Sequence, residues 1–92
     1  MNYLRNFDVF AYPLLDAVRD VINPNQISFV QETDLGLIGV NESNVDRLRL
    51  RLNEKTGSTI PKEEIASWFN VQDVCNSLAA HGGQGDPPEL TQ

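Results

Sequence analysis

Glu42 and Ser43 are the residues whose type and position most suggest a functional site. They close a glycine-bearing stretch, Asp34-Leu35-Gly36-Leu37-Ile38-Gly39-Val40-Asn41-Glu42-Ser43-Asn44, and lead into an amphipathic run, Val45-Asp46-Arg47-Leu48-Arg49-Leu50-Arg51-Leu52. A serine hydroxyl at a helix start can accept the orphaned backbone N–H groups of the first turn. A carboxylate beside it is favoured by the positive end of the helix dipole. Elsewhere the residues for covalent chemistry are sparse. With one Cys and one His, neither an internal disulfide nor a Cys/His zinc site can be assembled. There are no paired carboxylates, no nucleophile–base arrangement and no Walker-type phosphate loop, so the chain is expected not to be an enzyme.

The elements that position this junction follow from the apolar pattern. Phe7, Phe10, Leu14, Leu15, Val18, Val21 and Ile22 keep the three-and-four spacing of one helical face. Pro13 is tolerated in a first turn but not in a helix interior. The first helix is therefore expected from about Ala11 or Tyr12 to Ile22, with Phe7 and Phe10 in a lead-in and Asn23-Pro24-Asn25 as the stop. Gln26 to Asn41 reads as a long loop pinned by Ile27, Phe29 and Val30, for which nothing downstream offers a strand partner. Loops of such length without structure of their own tend to be functional.

A second helix is expected from about Ser43 to Lys55, with Val45, Leu48 and Leu52 inward, Arg47, Arg51 and Lys55 along another face, and Gly57 as its C-terminal cap. Leu50 falls outside the core stripe. Pro61 with Glu63 and Glu64 opens a short helix ending near Trp68, and Asn70 with Asp73 caps a last helix carrying Val71, Val74, Cys75 and Leu78. Cys75 and Trp68 read as core residues, and His81 as a favourable charge at a helix C-terminus. The expected fold is all-α: a four-helix bundle of three longer helices and one short one, with a long loop between the first and second. Residues 1–82 form the domain and residues 83–92, with Pro87-Pro88, a disordered tail.

Composition limits the partners. The chain has 92 residues, 40% hydrophobic and 22% charged, which is one ordinary small globular domain. A net charge of −6 argues against nucleic acid and anionic membrane surfaces. No apolar run reaches the roughly 20 residues needed to span a bilayer. Met1–Arg5 is not followed by the uninterrupted apolar region of a secretory signal, so a cytoplasmic location is expected. A monomer is expected because the assigned core leaves no apolar stripe over.

The order of these pieces resembles the acyl carrier protein family. It comprises Asp34-Leu35-Gly36, then Glu42-Ser43, the Leu48–Leu52 helix, Gly57, Ile60-Pro61, Glu63-Glu64 and Val71-Gln72-Asp73-Val74, together covering roughly residues 7 to 80. The resemblance implies a non-enzymatic carrier holding an acyl or aminoacyl thioester on a 4'-phosphopantetheine arm attached to a serine, usually within Asp-Ser-Leu. It implies partners in a fatty-acid, polyketide or peptide-type pathway: a phosphopantetheinyl transferase, and acyl- or aminoacyl-loading and condensing enzymes. A helix N-terminus suits the arm's phosphate.

This chain departs from the family at that triplet. Counting from Ile60-Pro61 and from the Leu48–Leu52 run, the serine position falls on Glu42, and the triplet reads Asn41-Glu42-Ser43. A one-residue insertion in the loop would bring Ser43 to the attachment place, at a rotation of about 100° around the helix. Ser43 is thus either an N-cap or the attachment point, and Glu42 either a favourable helix-start charge or a phosphate mimic. The family's second helix is acidic, whereas this one carries Arg47, Arg49, Arg51 and Lys55. Glu42, Arg47, Leu50 and Arg51 are the candidate docking residues, facing an acidic or apolar partner surface. The alternative is a carrier fold without the arm, acting as a protein-interaction or regulatory module.

Overall fold

The computed structural model describes residues 6–23 and 27–84. Three α-helices carry the fold: α1 (Asn6–Val21), α2 (Val45–Thr56) and α3 (Val71–Ala80). Two short 3-10 segments lie between them, Leu35–Ile38 in the long connection and Lys62–Ser67 before α3. The domain is an all-α bundle, and the second 3-10 segment takes the place of the expected short helix. No helix among the described residues is long and apolar enough to cross a membrane.

Each helix supplies one stripe to a common core. Phe10, Leu14, Ala17 and Val18 of α1 meet Leu48 and Leu52 of α2 and Val71, Val74, Cys75 and Leu78 of α3. Ile60 and Trp68, which flank the second 3-10 segment, and Leu35 and Ile38 of the first one complete it. Burial of the Cys75 thiol pushes its pKa up to about 12, so it behaves as a small apolar core group.

Helix α1 begins at Asn6, upstream of the expected start, and Pro13 stands inside it. A proline there removes one ladder bond, at about 3 kcal/mol. The extra turns bury Phe10 and place Phe7 edge-on against Phe29, with ring centroids 6.2 Å apart. Each such side chain contributes about 1.5–3 kcal/mol when buried, so packing offsets the proline. At the other end, Asn23 takes the left-handed conformation at φ 54° that asparagine tolerates. Pro24 and Asn25 of the expected stop lie outside the described residues.

The long connection is fastened by backbone as well as side chains. Leu35 N–H donates to the Phe69 carbonyl (3.1 Å), Val71 N–H to Thr33 (2.9 Å) and Gln72 N–H to Gln31 (2.9 Å). These bonds join residues 31–35 to the start of α3, while Ile27, Phe29 and Val30 form no strand.

Gly57 caps α2 at φ 72°, its N–H on the Asn53 carbonyl. Asn70 and Asp73 form the expected reciprocal cap of α3. Gly83 and Gln84, the first residues of the expected tail, donate to the Leu78 and Thr56 carbonyls, and the rest of that tail lies outside the described residues. Tyr12, Val30, Leu37, Leu50 and Phe69 stay exposed.

Candidate functional site

The Glu42–Ser43 junction is built by two asparagines. The Asn41 carbonyl accepts both the Asn44 N–H (3.1 Å) and the Val45 N–H (2.9 Å), which winds residues 41–45 into one tight turn ahead of α2. Asn41 Oδ1 accepts the Ser43 N–H at 2.9 Å and the Ser43 hydroxyl at 2.7 Å. In return Asn44 Oδ1 accepts the Asn41 N–H at 2.8 Å. This reciprocal pairing across three residues has the logic of a capping box. Asn44 also donates its amide to the Gly39 carbonyl at 2.9 Å, and it is buried.

Ser43 is therefore not the N-cap. Regular α2 starts two residues later with Asn44 at its N-cap position, and the oxygen that takes the Ser43 N–H belongs to Asn41. The physical reason is reach: the planar Asn41 amide spans to the Ser43 N–H, while the Ser43 hydroxyl is itself used as a donor. Ser43 and Glu42 are both exposed. Among the described residues Glu42 has no hydrogen bond or ion pair.

Beside this turn lies an open cleft of about 260 Å³. Leu35, Val40, Val45, Ile65 and Trp68 give it apolar walls, and Glu42 and Asn41 line its edge. Ser43 is outside the lining. A second cleft of about 250 Å³ lies between α1 and the Ile27–Phe29 segment, and none of the candidate residues lines it.

The basic residues of α2 divide into two sets. Arg51 pairs with Asp20 of α1 and with Glu54, each at 2.9 Å, and Lys55 reaches the same Asp20 carboxylate at 3.2 Å. Hydrogen bonds from Arg51, then from Lys55, hold the Asp20 carboxyl below its ordinary value. Asp20, with Glu54, in turn raises the Arg51 guanidinium. Arg49 bonds Asp46 at 2.9 Å and the Ile60 carbonyl at 2.8 Å. Three of the four thus tie α2 to its own domain. Arg47 and Leu50 remain on the outer face.

Ser77, His81 and Glu64 bring together residue types of an acyl-transfer triad in an order that does not serve one. The Ser77 hydroxyl is buried, accepts the Trp68 indole N–H at 2.8 Å and donates to Glu64 at 2.8 Å. A nucleophile needs access as well as a base on its proton, and the buried Ser77 hydroxyl, held between the indole and the carboxylate, has no access. No group of three or more His, Cys, Asp or Glu side chains among the described residues is placed to hold a metal ion.

Sequence reasoning missed Asn44, although its spacing of three from Asn41 was a readable capping signal. Comparison with protein-family models, with characterised proteins and with solved structures gives no match.

Proposed function

We propose that this chain is an acyl-carrier-like domain that presents a thioester-bound acyl or aminoacyl group, on a 4'-phosphopantetheine arm joined to Ser43, to the enzymes of a fatty-acid, polyketide or peptide-type pathway. The observation that carries this reading is the placement of Ser43. Ser43 is exposed and sits on a turn fixed by four hydrogen bonds of the Asn41 and Asn44 side chains, next in sequence to Glu42 at the edge of an apolar cleft. A rigid attachment point on a small domain lets the arm do the reaching while the domain docks. The exposed Arg47 and Leu50 on the outer face of α2 supply a basic and apolar docking surface.

The transfer would form a bond from Ser43 Oγ to the phosphate of the incoming arm and release the nucleotide half of coenzyme A. The Ser43 proton, now directed at Asn41 Oδ1, would leave to a base on the transferase, since an amide is no base at neutral pH.

A second reading, an armless interaction module, is favoured by a different observation. The two asparagines and the Asn41 carbonyl already take the N–H groups of Asn41, Ser43, Asn44 and Val45. The N–H groups of the turn that carries Ser43 are therefore occupied, and the neighbouring Glu42 carboxylate repels a phosphate.

Intact mass after incubation with a phosphopantetheinyl transferase and coenzyme A separates the two. The carrier reading expects a gain of one arm that disappears in Ser43→Ala. Absence of any gain with several transferases would leave the armless module.

A further inference from the structure

Two large apolar side chains are left in solvent beside the cleft at the Asn41–Val45 turn. Phe69, 71% exposed, lines it, and Leu37, 78% exposed, follows Gly36, which lines it as well. The Leu35 N–H donates to the Phe69 carbonyl at 3.1 Å, so the first 3-10 segment and the residue before the α3 cap are fastened to each other at this point. Neither Phe69 nor Leu37 packs in the core. Scattered exposed apolar residues are ordinary. Two of them at one apolar cleft make a contiguous patch, which marks an interaction surface.

Size and charge select the occupant. The open cleft of about 260 Å³ is smaller than the roughly 300–1,000 Å³ of sites that enclose a small molecule. It has room for a side chain of a larger partner, whose further contacts fall on Phe69 and Leu37. The charge around it is of one sign. Glu42 lines the cleft and has no hydrogen bond or ion pair among the described residues. Asp34 is exposed, precedes Leu35, bridges to Asn70 through its backbone and makes no side-chain cap. Asp73 accepts the Phe69 N–H at 2.8 Å. No Lys or Arg among the described residues lines the cleft. Arg47 is exposed on α2, and Lys62 is followed at once by Glu63. A second copy of the chain, at net charge −6, brings the same sign to this rim.

We propose that this cleft is the docking point for a basic segment of a partner protein, which seats one large apolar side chain among Val45, Ile65 and Trp68 and sets a flanking Lys or Arg against Glu42. Complementary charge at the rim steers the segment in and fixes its register, while the apolar contacts hold it. The site uses neither Arg47 nor Leu50 and does not depend on the carrier reading.

The probe is a capped peptide in which a phenylalanine–leucine pair is flanked by lysines on both sides, with a glutamate-flanked peptide as its control. Both are titrated into the full chain and followed by NMR. Trp68 is the one tryptophan, so its indole N–H gives a single resonance at the cleft wall. The expected result is a saturable shift of that resonance and of the Leu37, Glu42 and Phe69 amides with the lysine peptide, and none with the glutamate peptide. Binding is expected to weaken by up to about fivefold in Glu42→Gln, and also on adding salt. In Phe69→Ala it is expected to weaken by about tenfold. Both side chains are exposed and outside the core, and circular dichroism checks that the variants stay folded. No shift with the lysine peptide overturns the proposal. So do equal binding of the two peptides, shifts centred away from the cleft, and shifts of the same residues on concentrating the chain alone, which would assign the patch to a second copy.

Discussion

Asn44 donates its side-chain amide to the Gly39 carbonyl at 2.9 Å, so one buried side chain joins the end of the first 3-10 segment to the turn that starts α2. Its other side-chain atom accepts the Asn41 N–H at 2.8 Å, and Ser43 rides between the two asparagines.

Truncating that side chain leaves two backbone groups without their partners. Asn44→Ala is expected to destabilise the domain by about 1–3 kcal/mol, the cost of unsatisfied buried polar groups. Asn44→Asp keeps the acceptor for Asn41 but sets a buried carboxylate oxygen against the Gly39 carbonyl, so its loss is expected to be no smaller. Urea unfolding of the three proteins checks the order, and an unperturbed midpoint in Asn44→Ala would show that the clamp contributes nothing.

The two glycines of the connection are expected to differ sharply. Gly39 sits at φ 94°, and a Cβ there would lie 2.8 Å from Ile22 Cγ2. Gly39→Ala combines left-handed strain with a clash against Ile22, just past the end of α1, a loss of roughly 1–3 kcal/mol. Gly36 has nothing within 4 Å of an added Cβ, and Gly36→Ala is expected to be neutral or stabilising by up to about 1 kcal/mol. Thermal unfolding of both variants measures the contrast. Equal effects would refute it.

Asp20 links stability to pH at the acidic end. Hydrogen bonds from Arg51 and then Lys55 hold its folded-state pKa below the ordinary 3.8. A depressed carboxylate contributes stability above the unfolded value and loses it as pH falls through the folded one. The stabilising contribution of Asp20 is thus expected to be full above pH 3.8 and to fade below it. Asp20→Asn should lower the melting temperature at neutral pH, flatten the acid limb and reduce the salt sensitivity of this exposed network. A melting temperature with the native pH profile in Asp20→Asn would show that the triad is not coupled to folding.

The helical faces were legible in the residues themselves. Leu48 and Leu52 of α2 and Val71, Val74, Cys75 and Leu78 of α3 are spaced as one face and are buried as one face. Gly57 and the Asn70–Asp73 pair marked helix ends correctly because capping is a local interaction within a few residues. Pro13 misled for the opposite reason. Its local cost is real, but Phe7 and Phe10 recover it only by meeting partners distant in the chain.

The candidate site was half legible. Glu42 and Ser43 could be placed at a loop-to-helix junction, and the junction is there. The residue that caps the turn is Asn41, however, and the one that locks it is Asn44 through Gly39. Arg51 and Lys55 were readable as a basic ladder on a helix surface. That Asp20 of α1 would stand opposite both of them was not readable, because ion pairing depends on how two helices are placed.

By itself, then, the sequence determined an all-α domain, the stripes that form its core, and a polar junction ahead of α2, since periodicity and capping act over a few residues. The tertiary structure decided which of the junction's residues are clamped and which are offered to solvent. Asn44 is buried against Gly39, whereas Glu42 and Ser43 are exposed. It also brought Glu64 and His81 within reach of each other from separate elements. Those relationships join residues that no local spacing relates, and only the packing of the helices fixes their distances.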